Sequence, residues 1–142
     1  GHRVAFIARW PKNIPPGTAS TYVVNLTDML ATFAEIVGAE LPQNAAEDSI
    51  SILPRLLEKQ DAPHVPRTIY VQGDTKDDAI AICSGRWKMI AGKGNESVPA
   101  VQLYDLHADP SEMKNLAADH PKLVKEMLNG LKKAREDGRT RL

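Results

Sequence analysis

The chain has 142 residues, of which 42% are hydrophobic and 25% charged, the make-up of a soluble globular protein of about one ordinary domain. Eighteen basic and eighteen acidic residues cancel, which argues against a nucleic-acid binder, and no apolar run approaches the roughly 20 residues of a membrane span. A single cysteine, Cys83, excludes an internal disulfide and a cysteine-based zinc site; it stands in an alternating apolar stretch, where packing is its expected role.

Residues 3–10 (Arg3-Val4-Ala5-Phe6-Ile7-Ala8-Arg9-Trp10) form a short, mostly apolar run that reads as a buried strand. Pro11 ends it, Pro15-Pro16-Gly17 makes a turn, and Thr21 to Val24 reads as a brief extended piece. From Leu26 to Val37 the apolar residues Met29, Leu30, Phe33, Ile36 and Val37 fall at helical spacing. Thr27 or Asp28 is placed to cap that helix and Gly38 to stop it. Ser49 to Lys59 predicts a second, shorter helix, with Pro54 in its first turn.

The middle of the chain is strand-like. Arg67 to Gln72, Ala79 to Cys83, Arg86 to Ala91 and Val101 to Leu106 are four candidates, the second and third joined by a tight turn at Ser84-Gly85. The gaps leave no room for crossover helices, so an antiparallel meander is expected. A short helical piece near Ser111 to Leu116 follows the Asp109-Pro110 turn. An amphipathic helix then runs from Pro121 to about Glu136, with Leu123, Val124, Met127, Leu128 and Leu131 on one face.

A small antiparallel sheet with a helix against it is self-consistent, whereas one buried strand and two helices make no complete core. The expected division is therefore residues 1–60 as the terminal segment of a larger α/β domain, and residues 61–142 as a sheet-plus-helix subdomain. The chain is expected to begin partway through a longer protein.

Motifs for chemistry are sparse. None of the histidines (His2, His64, His107, His120) stands three or four residues from another, so no helical metal pair exists. Asp74, Asp77 and Asp78 lack the glycine and terminal glutamate of a calcium loop. No Gly-x-Ser-x-Gly elbow and no phosphate-binding loop occurs. His2 and Arg3, at the head of the first apolar run, are the substrate-pocket candidates. Arg3 could hold an anion bidentately or pair with a buried carboxylate.

Five stretches resemble sulfatases. Gly1-His2-Arg3-Val4-Ala5-Phe6-Ile7-Ala8-Arg9-Trp10-Pro11 resembles their Gly-x-Arg-Val-Pro-Phe-Ile-x-x-Trp-Pro segment. Asn25-Leu26-Thr27-Asp28-Met29-Leu30-Ala31-Thr32 is similar to Ser-Leu-x-Asp-Leu-x-Pro-Thr. Asp48-Ser49-Ile50-Ser51-Ile52-Leu53-Pro54 is similar to Asp-Gly/Ser-x-Ser-Leu-x-Pro. Ala81 to Ile90 resembles an Ala-Ile-Arg-x-Gly-x-Trp-Lys-Leu-Ile hairpin. Leu103 to Leu116 resembles Leu-Tyr-Asp-Leu-x-x-Asp-Pro-x-Glu-x-x-Asn-Leu. Ala5 and Ala31 depart from proline.

The resemblance implies a sulfatase fold of the alkaline phosphatase superfamily: the end of a large α/β domain, then a four-stranded antiparallel sheet packed on a C-terminal helix. For the parent protein it implies hydrolysis of aryl or carbohydrate sulfate esters by a formylglycine nucleophile with bound calcium. No catalytic or metal residue carries over to this chain, because Cys83-Ser84-Gly85-Arg86 is not the formylglycine motif and the calcium motifs are absent. The chain alone is expected to bind no cofactor and to be inactive. Implied partners are the rest of the sulfatase domain and a sulfated small molecule or carbohydrate, with neither nucleic acid nor membrane; exposed apolar surface leaves homo-oligomers open. Family habit implies a periplasmic, secreted or lysosomal parent. A phosphate or phosphonate ester hydrolase fragment and a stand-alone binding module are the alternatives.

Overall fold

A computed structural model describes residues 4–20, 22–57, 67–72, 79–97 and 99–141. Two units emerge, one comprising Gly1–Val65 with Gly138–Leu142 and the other Pro66–Asp137. The sequence division had assigned residues 138–142 to the second unit.

The first unit is built on helix α1 (Asp28–Val37). It stops where the spacing requires, at Gly38 with φ 69°. A left-handed residue there lets the Ala39 N–H turn back to the Ala34 carbonyl at 2.8 Å, closing the helix end at little steric cost because glycine has no Cβ. Thr27 makes no side-chain cap, so the expected capping role falls elsewhere, as described below. Helix α2 (Leu53–Leu56) is far shorter than Ser49 to Lys59 predicts, with Pro54 in its first turn. The amides of Ile50 and Ile52 are already bonded to side chains of α1, so residues 49–52 stay outside the helix. Residues 58 and 59 lie outside the described residues.

The expected strand over residues 3–10 does not form in its described part, residues 4–10. Val4 and Ile7 are 82% and 89% exposed. An apolar run becomes a strand only where a neighbour accepts and donates its backbone hydrogen bonds, and residues 4–10 pair with no strand among the described residues. Residues 22–24 are likewise not a strand.

The second unit is the expected meander. Strands β1 (Thr68–Gln72), β2 (Ile80–Ser84), β3 (Trp87–Ala91) and β4 (Val101–Asp105) pair antiparallel in the order β1-β2-β3-β4. The register places Tyr70 opposite Ile82, Ile82 opposite Met89, and Met89 opposite Leu103. That row and its neighbours face helix α3 (Pro121–Asp137). Ile80, Ile82, Met89, Leu103, Met127 and Leu131 form the buried core, each large side chain worth about 1.5–3 kcal/mol of burial. Gly85 takes φ 56° in the two-residue β2–β3 turn, as a glycine-first hairpin turn demands.

The helical piece expected near Ser111 to Leu116 is absent. Glu112 has φ 58°, which no right-handed helix accommodates. Cys83 is half-buried rather than fully packed.

Candidate functional site

The pocket candidates His2 and Arg3 lie outside the described residues, as do His64, Asp74, Asp77 and Asp78. Among the described residues no three His, Cys, Asp or Glu side chains gather in a way that could hold a metal ion. The polar side chains that do converge form three groups.

The first group is a seam between α1 and residues 49–53. Asp28, Thr32 and Ser49 are buried. The Asp28 carboxylate accepts the Asn25 N–H at 2.8 Å with one oxygen and the Ile50 N–H at 3.0 Å with the other. The Thr32 hydroxyl donates to the Asp28 carbonyl at 2.7 Å and accepts the Ile52 N–H at 3.0 Å. Ser49 Oγ accepts the Ala31 N–H at 2.8 Å, so a first-turn amide of α1 is capped from 18 residues away rather than by Thr27. Ser51 donates to the Glu35 carboxylate and accepts the Leu53 N–H at 3.2 Å. An open groove of about 470 Å³ borders this seam, passing Glu35, Glu40 and Arg141.

A second group ties residues 139–141 to residues 42–48. Asp48 Oδ1 accepts both the Thr140 N–H at 2.9 Å and its hydroxyl at 2.8 Å. The Glu47 carbonyl accepts the Arg141 N–H at 2.8 Å. Arg141 Nη2 donates to the Pro42 and Ala45 carbonyls at 2.9 and 2.8 Å.

In the second unit, residues 105–117 form a loop held at four points. Asp105 is buried and takes a forked pair of hydrogen bonds from Arg86, from Nε at 2.8 Å and from Nη2. It also accepts the His107 N–H at 3.1 Å. The Arg86 guanidinium holds the Asp105 carboxyl down at about 2, from an ordinary 3.8. The Asp109 carboxylate accepts the Lys114 N–H at 2.8 Å; this bond and the Met113 amide hold its pKa below the usual carboxylate value. Lys88, buried on β3, donates to Glu112 at 2.6 Å, and Glu112 reaches it from its left-handed backbone. Burial pushes the Tyr104 phenol up, with the Glu112 and Asp109 charges adding to the effect. Asn115 Oδ1 accepts the Leu103 N–H at 3.0 Å, and the Leu116 N–H donates to the Leu103 carbonyl at 2.8 Å. The outer edge of β4, otherwise open to pairing with another chain, is thereby covered.

Most of these carboxylates and hydroxyls engage the backbone or a neighbouring cation, while Ser51 with Glu35 and Thr140 with Asp48 pair a hydroxyl with a carboxylate. They secure architecture. Sequence reasoning gave Asp28 a capping role and Asp105, Glu112 and Asn115 none; the available sign was their place in the motifs quoted above.

Residues 1–137 match the family described as N-sulphoglucosamine sulphohydrolase, C-terminal. The chain belongs to this sulfatase family. It is 35% identical over 140 residues to an N-acetylgalactosamine-6-O-sulfatase of Bacteroides thetaiotaomicron, covering 89% of this chain and 26% of that protein. It is 31% identical over 172 residues to an ulvan-active sulfatase of Formosa agariphila, covering 93% of this chain and 33% of the relative. Among solved structures, that of BT4656 in complex with its substrate D-glucosamine-2-N,6-O-disulfate is similar with a TM-score of 0.71 and 25% identity, over 90% of this chain and 27% of that one. The chain thus spans about a quarter to a third of these proteins. The four-stranded antiparallel sheet and its helix are those of the sulfatase C-terminal region. Three of the five sulfatase-like stretches carry the residues that fasten segments together: Asp28 and Thr32, Asp48 to Ser51, and Asp105 to Asn115.

Proposed function

We propose that this chain is the C-terminal part of a sulfate ester hydrolase acting on a sulfated carbohydrate. The observation that carries this reading is the sulfatase family match over residues 1–137, and the sulfated-sugar substrate of a structural neighbour supports the substrate class. Formylglycine and calcium would serve the whole enzyme. The described residues do not fit either group: no metal-holding cluster occurs among them, and Cys83 is followed by Ser84-Gly85-Arg86. Both would be supplied by the remaining part of the protein, and this chain alone would not turn over a sulfate ester.

That remaining part is also the partner the surface of α1 suits. Leu30, Phe33 and Val37 are all exposed, and their spacing of three and four residues sets them along one side of the helix. With relatives about three times as long as this chain, the rest of the α/β domain is the covering surface.

The test is sulfate release from N-acetylgalactosamine 6-sulfate and from an aryl sulfate, by this chain alone and by the polypeptide that includes the coding sequence upstream of Gly1. Release by the longer polypeptide only is expected. Turnover by the chain alone, preference for phosphate or phosphonate esters, or a start codon directly before Gly1 would overturn the reading.

A further inference from the structure

The loop over residues 42–48 is shaped around two guanidinium groups. Ala46 has φ 55°, a left-handed backbone that a residue with a Cβ adopts only at a cost. Such strain marks a place where the chain holds a conformation for a purpose other than its own stability. Around that turn the carbonyls of Pro42, Gln43 and Ala45 all point at arginine. Arg141 Nη2 meets the Pro42 and Ala45 carbonyls at 2.9 and 2.8 Å, and Arg139 Nη1 meets the Gln43 carbonyl at 3.1 Å. Arg141 Nε is buried, so this guanidinium is seated in the loop rather than laid on its surface.

The remaining contacts read the segment between the arginines. Asp48 Oδ1 takes both the N–H and the hydroxyl of Thr140, and the Glu47 carbonyl takes the Arg141 N–H. Charge agrees with shape, since residues 40–48 carry Glu40, Glu47 and Asp48 and no basic residue. Arg139 Nε donates to the Arg141 carbonyl at 2.8 Å, which holds the segment in its bound form. A planar fork of donors suits several fixed carbonyls, whereas a lysine ammonium presents a single point of charge. Residues 139–141 lie outside the stretch that matches the sulfatase family, so that likeness assigns them no role.

We propose that residues 42–48 form a binding site for an Arg-Thr-Arg peptide segment, which the chain fills with its own residues 139–141 as an exchangeable strap. The contacts are polar and lie at the surface, so the strap leaves without unpacking a core. Arg141 also lines the groove beside Glu35 and Ser51, so its departure opens that wall.

The test is NMR titration of the 142-residue chain and of its Arg141→Ala variant with the peptide acetyl-Gly-Arg-Thr-Arg-Leu-amide. In the unaltered chain the tethered strap competes at an effective concentration on the order of millimolar. The variant should therefore give saturable shifts at residues 42–48 and bind the peptide at least about tenfold more tightly than the unaltered chain. A peptide with lysine in place of both arginines should bind the variant several-fold more weakly. In the unaltered chain, excess arginine peptide should speed hydrogen exchange of the Thr140 and Arg141 amides, a readout that needs no substitution. Absence of saturable shifts in the folded variant, shifts mapping elsewhere, equal affinity of the two proteins, equal binding of the lysine peptide, or unchanged exchange at Thr140 and Arg141 would each overturn the proposal.

Discussion

Arg86 and Asp105 close the same end of the sheet from opposite sides of one strand pair, Arg86 from the β2–β3 turn and Asp105 as the last residue of β4. The forked contact is doubled by the backbone, since the Leu106 N–H donates to the Arg86 carbonyl at 2.8 Å. Asp105 therefore fixes both where β4 ends and how the following loop departs.

A pH dependence follows. The Asp105 carboxyl is depressed from 3.8 to about 2 by its Arg86 hydrogen bonds. A depressed folded-state pKa gives stability that is present above the unfolded value and lost as pH falls through the folded one. Urea denaturation of the parent chain and Asp105→Asn between pH 2 and pH 6 should give a stability difference that is constant above about pH 5 and shrinks between about pH 4 and pH 2. A difference that does not change with pH would refute this assignment.

Thr32→Val keeps the shape of the buried side chain but removes the acceptor of the Ile52 N–H. The orphaned amide should cost about 1–3 kcal/mol. Native-state hydrogen exchange of residues 28–37 is the suitable readout, with faster exchange expected in the variant and little change across β2 and β3.

Asn115→Ala uncovers the Leu103 N–H on the outer edge of β4. A loss of about 1–3 kcal/mol is expected, together with concentration-dependent association through the freed edge. Light scattering at several concentrations separates that association from simple destabilisation.

Leu103→Ala removes a fully buried side chain from the centre of the sheet–helix core. A loss of about 2–5 kcal/mol is expected, seen as a lower midpoint in chemical denaturation.

Most of the second unit was legible in the sequence because its code is local. Alternation marked Ile80 and Ile82, and the helical spacing of Leu123, Met127 and Leu131 marked α3 to within a residue. Where reading failed, a distant group had intervened. Ser49 to Lys59 has helix-like spacing, yet the Ile50 and Ile52 amides are held by Asp28 and Thr32, some twenty residues away. Residues 111–116 were misread because Glu112 adopts a left-handed backbone and the Asp109 carboxylate takes the Lys114 amide. Val4 to Trp10 carries the composition of a strand, but composition cannot supply the partner a strand needs. Of the candidate site, His2 and Arg3 were named from position alone and lie outside the described residues. Gly130, inside an otherwise regular amphipathic helix, is understood only beside the Tyr70 hydroxyl, which a Cβ there would crowd.

The bonds from residues 139–141 to residues 42–48 also define a load path. They clasp the chain into a loop that contains the whole of β1 to β4 and α3. Tension drawn between a point before residue 42 and one after residue 141 falls first on the Thr140 and Arg141 contacts, while the sheet and its helix remain slack. In a force–extension measurement the clasp should release as an early, separate event, and only then would the enclosed residues lengthen.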